Sequence, residues 1–105
     1  MLRKKLVKLM RITEHEKNAI IDAVKNTDPD AQVWLFGSRT DDGKKGGDID
    51  IAIFSEKIRN DVMNEIQVRR FICGRIGEQK IDIVTTNSGK EAIFRLAVAE
   101  GIRLL

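Results

Sequence analysis

At 105 residues, 42% apolar and 33% charged, the chain has the length and composition of one globular domain with a single core, neither disordered nor fibrous. No apolar run approaches the roughly 20 residues that a membrane-spanning helix needs, and the lone Cys73 excludes an internal disulfide framework. The net charge of +3 suits a phosphate-bearing partner but does not by itself mark a nucleic-acid binder.

The chain opens basic and apolar, Met1 to Arg11, in the manner of a signal peptide. Lys8 and Arg11 interrupt the apolar stretch and no small-residue cleavage site follows, so a cytoplasmic location is expected. Thr13-Glu14-His15-Glu16 has the form of a capping box and predicts a helix start, with Ala19, Ile20, Ala23 and Val24 recurring at helical spacing behind it. His15, in the first turn, reads as a surface histidine. Asp28-Pro29-Asp30 stops the helix. A strand is predicted at Gln32 to Phe36, then a Gly37-Ser38 turn leading into a short helix, then a polar loop from Asp41 to Gly47.

A second strand is predicted from Asp48 to Phe54, and a helix over 59–76 with Val62, Ile66, Cys73 and Ile76 on its apolar stripe and Gly77 as its C-cap. Cys73, in an apolar helical stretch, reads as a buried inert thiol. The third strand is Lys80 to Thr85. Ser88-Gly89-Lys90-Glu91 has the form of a second capping box, opening a helix through Ile93, Phe94 and Ala97 to Gly101. The expected fold is α/β (α+β), a small mixed sheet with helices packed on one face.

The chemistry concentrates in the second and third strands. Alternation puts Asp48 and Asp50 on one face, about 6.6 Å apart, and Ile49, Ile51 and Ile53 on the other. Acids on an edge strand often face solvent only, yet the flanking isoleucines and Ala52 indicate a strand covered on at least one side. A cation would offset the repulsion of two carboxylates so placed. Hard oxygen donors and the absence of a His/Cys cluster favour Mg²⁺, with Mn²⁺ as a substitute, over zinc. Asp82 stands in an Ile-Asp-Ile-Val strand of the same form. If the two strands pair, three carboxylates meet on one face and can hold two metal ions about 3.5–4 Å apart for displacement at phosphorus. Gly37 and Ser38, after a strand and before a helix, are suited to binding phosphate through free backbone N–H groups. Arg39, Lys44 and Lys45 are within reach of a polyphosphate, although the Lys44-Lys45 stretch lacks the order of a P-loop.

Gly37-Ser38, then Asp48-Ile49-Asp50, then Asp82 in a later strand resembles the DNA polymerase beta-like nucleotidyltransferase superfamily. The opening Leu35-Phe36-Gly37-Ser38-Arg39 and the ending from Phe94 to Leu104 look like its minimal (MNT-type) proteins. The resemblance covers residues 12–105 and leaves 1–11 as an N-terminal extension. It implies metal-ligating and catalytic roles for Asp48, Asp50 and Asp82, with Asp82 helping to deprotonate the acceptor. It implies phosphate anchoring by Gly37 and Ser38. The implied reaction is attack of a hydroxyl on the α-phosphorus of a nucleoside triphosphate, usually ATP, with Mg²⁺. The implied acceptor is a helical HEPN partner protein of a toxin–antitoxin pair, with a platform supplied by that partner or by a homodimer. A non-catalytic module that occludes the partner and an RNA-end nucleotidyltransferase are the alternatives; no membrane partner is implied. One departure stands out: Arg39-Thr40-Asp41-Asp42-Gly43 replaces the family's frequent Arg-Ala-Arg-Gly run.

Overall fold

The computed structural model describes residues 12–36 and 49–105. The expected extension at 1–11, the short helix after Ser38 and the loop to Gly47 lie outside the described residues.

Helix α1 (Glu14–Thr27) starts as its sequence dictates. Thr13 accepts a hydrogen bond from the Glu16 amide at 3.0 Å, and the Glu16 carboxylate accepts from the Thr13 amide at 2.8 Å. Ala19, Ile20, Ala23 and Val24 are buried along one stripe. After the Asp28 cap the chain enters β1 (Gln32–Phe36), whose Val33 and Leu35 are fully buried. Strand β2 (Ile49–Phe54) follows.

The helix expected over 59–76 starts at Val62, and a separate single turn precedes it. A single turn, α2 (Glu56–Arg59), is capped by Ser55, and α3 (Val62–Ile76) is capped by Asp61, which accepts from the Met63 amide at 2.9 Å. Ser55 also donates to the Asp28 carboxylate at 2.6 Å, tying the start of α2 to the end of α1. The buried residues of α3 are Val68 and Ile72, and Cys73 and Ile76 of the expected stripe pack on the core partly buried. Val62 opens the helix past the edge of the core and is 69% exposed, while Cys73 is only half-buried. Gly77 ends α3 as expected, at φ +92°, a backbone conformation that disfavours any residue with a Cβ.

Strand β3 (Ile81–Thr86) leads to α4 (Ala92–Glu100) and the short β4 (Ile102–Arg103). Among the described residues the sheet order is β3-β2-β1-β4, with β2 and β3 parallel and the other pairs antiparallel. This is the mixed sheet expected. Ile49, Ile51, Ile53, Val33 and Leu35 pack on α1 and α3 in the main core. Each such fully buried side chain contributes about 1.5–3 kcal/mol. The other face is not bare, as a one-faced arrangement would have it. There α4 lays Phe94 and Ala97 on Ala52, with Trp34, Phe36 and Phe54 around them. Phe94 meets Trp34 and Phe54 edge-on, at 5.6 and 6.0 Å between ring centres. The cause is compositional: α4 is apolar nearly all round, and Trp34, Phe36 and Phe54 alternate with the core residues of their strands, so both faces carry apolar surface to cover.

The second capping box is not formed. Helix α4 begins at Ala92, and its N-cap Glu91 makes no side-chain cap hydrogen bond. The buried Thr86 hydroxyl takes control of the turn instead, accepting from the Ser88 and Gly89 amides at 3.1 and 2.9 Å and donating to the Glu91 carboxylate.

Candidate active site

Strand alternation sets the site. In β2 the isoleucines at 49, 51 and 53 are buried against the helices, so Asp50 stands on the opposite face, half-buried. In β3, Ile81 is buried on the helix side and Asp82 takes the other face, also half-buried. The parallel pairing aligns Asp50 with Asp82, and the antiparallel pairing aligns Asp50 with Phe36. One row across three strands therefore reads Phe36, Asp50, Asp82. Neighbouring strands lie about 4.8 Å apart, so the two aspartates are side by side with their Cβ atoms on one face.

The pairing on which the role of Asp82 depended is thus present. Its anchor is local: the Ile49 amide donates to the Lys80 carbonyl at 3.0 Å, which fixes the register of the two strands where the acids begin. Asp48 directly precedes the described part of β2. It lies outside the described residues, as do Gly37, Ser38, Arg39, Lys44 and Lys45. Among the described residues no three His, Cys, Asp or Glu side chains gather as a metal site. Asp50 and Asp82 supply two hard carboxylates on adjacent strands, a donor set that fits Mg²⁺ or Mn²⁺ and does not fit zinc.

Several other titratable groups stand away from this row. His15 is exposed, as expected, and its Nε2 lies 3.0 Å from the Arg75 carbonyl, joining the start of α1 to the end of α3. Arg75 pairs with Asp22 at 2.9 Å and lies 4.9 Å over the Phe71 ring. Glu91 is held below the ordinary carboxylate range, first by the hydrogen bond from Thr86 and also by the nearby charge of Arg59. Thr86 is four residues beyond Asp82, about 13 Å along the strand, so this group stabilises a turn and does not serve the aspartate pair. A depression lined by Asp28, Asp30, Phe54, Ser55, Glu56 and Lys57 likewise lies at the far end of β2 from Asp50.

One contact near the row was not anticipated. Arg69 of α3 donates from Nε to the Ile81 carbonyl at 3.2 Å and pairs with Glu65 at 3.5 Å. In the sequence Arg69 stands only as a helical arginine off the apolar stripe. Nothing in its spacing ties it to a strand twelve residues away. No helix among the described residues is long and apolar enough to cross a membrane.

No curated protein matches the chain. A family model described as "Polymerase beta, Nucleotidyltransferase" matches residues 18–105, a span that takes in Gly37 and Ser38, all three acids and every strand described above. The chain therefore belongs to the polymerase beta nucleotidyltransferase family.

Proposed function

We propose that the chain is an Mg²⁺-dependent adenylyltransferase, which moves AMP from ATP onto a hydroxyl of a partner protein, within the minimal branch of its family. The observation that carries the reading is the register of Asp50 with Asp82 on the sheet face opposite the main core. Neighbouring carboxylates repel each other, a bound cation would offset that repulsion, and a nucleotidyl-transfer site is an arrangement that uses them together.

Asp48, Asp50 and Asp82 hold the metal in this reading, and the bound Mg²⁺ supplies charge to the phosphoryl oxygens and acidity to the acceptor hydroxyl. Gly37 and Ser38 hold the triphosphate through backbone N–H groups, with Arg39, Lys44 and Lys45 around its outer oxygens. In this reading Asp82 receives the acceptor proton. The acceptor oxygen forms a bond to the α-phosphorus, the bond from that phosphorus to the bridging oxygen breaks, and pyrophosphate leaves with the electron pair. A protein acceptor is favoured by α4, which lies on the aspartate face and leaves Ile93 and Leu96 about half exposed, at 48% and 50%. Apolar surface of that kind suits a protein partner better than a small acceptor. A HEPN-type helical protein made in the same cytoplasm is the partner proposed.

The test is incubation of the full chain with ATP labelled at the α-phosphate, Mg²⁺ and the protein encoded next to it. Label should pass to that protein and disappear with D48A or D50A. Label on RNA would replace the acceptor. Neutralisation of the partner that survives both substitutions would overturn the enzymatic reading in favour of occlusion.

A further inference from the structure

We infer that Arg69 is a positioning residue for Asp82, acting through the peptide bond that joins Ile81 to Asp82. The inference rests on the metal-binding role proposed above for Asp82.

In a parallel pair only alternate residues of a strand bond to the neighbour. The Lys80 carbonyl bonds to the Ile49 amide, so the main-chain groups of Lys80 and Asp82 turn toward β2 and the Ile81 carbonyl turns away. β3 is the end strand of the described sheet, and the outward carbonyl has no strand beside it there. Arg69 fills that position, with Nε 3.2 Å from the Ile81 oxygen. The oxygen belongs to the same planar unit as the Asp82 nitrogen and Cα. Holding it from outside, while β2 holds the next residue from inside, fixes the plane from which the Asp82 side chain departs.

The guanidinium is itself steadied, by Glu65 one turn earlier at 3.5 Å. The side chain of Arg69 is 38% exposed, so it is only partly withdrawn from water. One turn along α3, Cys73 makes a second contact with the lead into β3, its Sγ 3.5 Å from the Gln79 carbonyl. That contact does not touch the Asp82 peptide. The two residues therefore separate a clasp that merely joins α3 to β3 from one that aims a carboxylate.

The experiment measures Mn²⁺ binding to the full chain by electron paramagnetic resonance, with thermal unfolding recorded for each variant. D82N should abolish the tight site. R69M should weaken Mn²⁺ binding about tenfold, the low end for groups that orient metal ligands, whereas C73A should bind Mn²⁺ like the unsubstituted chain. R69K, whose ammonium can still donate to the carbonyl, should recover most of the loss. If R69M does not fold, R69Q, which keeps a packed side chain too short to reach the carbonyl, is judged by the same comparison. Unchanged Mn²⁺ binding in the folded Arg69 variant, beside a clear loss in D82N, would overturn the positioning role and leave the proposed function standing. Unchanged binding in D82N would remove the metal role of Asp82, and the positioning role with it.

Discussion

At the scale of single residues, the backbone packs tightly between α4 and the sheet near the aspartate row. Gly101 closes the last turn of α4 through its amide to the Ala97 carbonyl at 2.7 Å and delivers the chain into β4. A Cβ there would stand 2.4 Å from the Ala97 oxygen and 2.5 Å from the Leu35 oxygen, both backbone, and 3.2 Å from the Cβ of Phe36. Neither carbonyl can retreat without moving β1 or α4. Gly101→Ala should therefore cost about 1–3 kcal/mol, the usual range for overpacking, and lower Tm by roughly 4–8 °C per kcal/mol for a domain of this size. Gly74 supplies the opposite case. It sits inside α3, where an added Cβ meets nothing within 4 Å, so Gly74→Ala should stabilise by about 0.5–1 kcal/mol through helix propensity alone. Thermal melts of the two variants check both signs. Equal shifts in one direction would contradict the packing described for Gly101.

At the scale of elements, the turn between β3 and α4 shows why one capping box was legible in the sequence and its twin was not. Thr13 and Glu16 have no competitor and form the reciprocal pair their spacing predicts. Ser88 and Glu91 have the same spacing, but Thr86 is buried two residues earlier and its hydroxyl must be satisfied. It takes the turn amides as donors and Glu91 as its acceptor, so the carboxylate is drawn back from the helix start. That depends on β3 burying Thr86, a tertiary fact that four residues of sequence do not contain. The same interaction predicts a pH dependence. The Glu91 carboxyl lies below its ordinary value of 4.5 in the folded chain, so ionised Glu91 stabilises the fold above that value. As pH falls through the lowered folded value, the advantage is lost. The unsubstituted chain should melt above E91Q at pH 7, and the gap should close under acid. A gap that stays constant from neutral to acid pH, or widens, would show that the charge of Glu91 contributes nothing. The later start of the helix expected from residue 59 is a similar case: Asp61 caps α3 instead of continuing a helix, and Val62, counted as core by periodicity, is exposed.

At the scale of the whole molecule, the site depends on long-range pairing. The alternation of Asp50 with isoleucines was visible in the sequence, and so was the matching pattern around Asp82. Their meeting required β2 and β3 to be neighbours, parallel, and in one particular register, because a slip of one residue would send Asp82 into the core and Ile81 or Ile83 onto the open face. The helix on the aspartate face was legible as a helix, but not its side, since an all-round apolar helix names no preferred face. The register carries its own consequence for stability. Two carboxylates about 5 Å apart repel by about 1 kcal/mol at the dielectric of water and about 3 kcal/mol at that of a protein surface. Both are half-buried, so the effective repulsion lies toward the lower figure, and a bound cation would offset it. A metal that binds only the folded chain adds about 2.7 kcal/mol at a hundred times its dissociation constant. Mg²⁺ should accordingly raise Tm of the unsubstituted chain by several degrees, in a concentration-dependent way. D82N should abolish the response to Mg²⁺. D22N, which removes a carboxylate remote from the site and paired with Arg75, should lower Tm slightly and keep the Mg²⁺ response. A D82N variant that still gains from Mg²⁺ as the unsubstituted chain does would mean that Asp50 and Asp82 do not share a cation. Calorimetry of the three chains across a Mg²⁺ series decides between these outcomes, because a shared cation stabilises the folded chain only while both carboxylates are there to hold it.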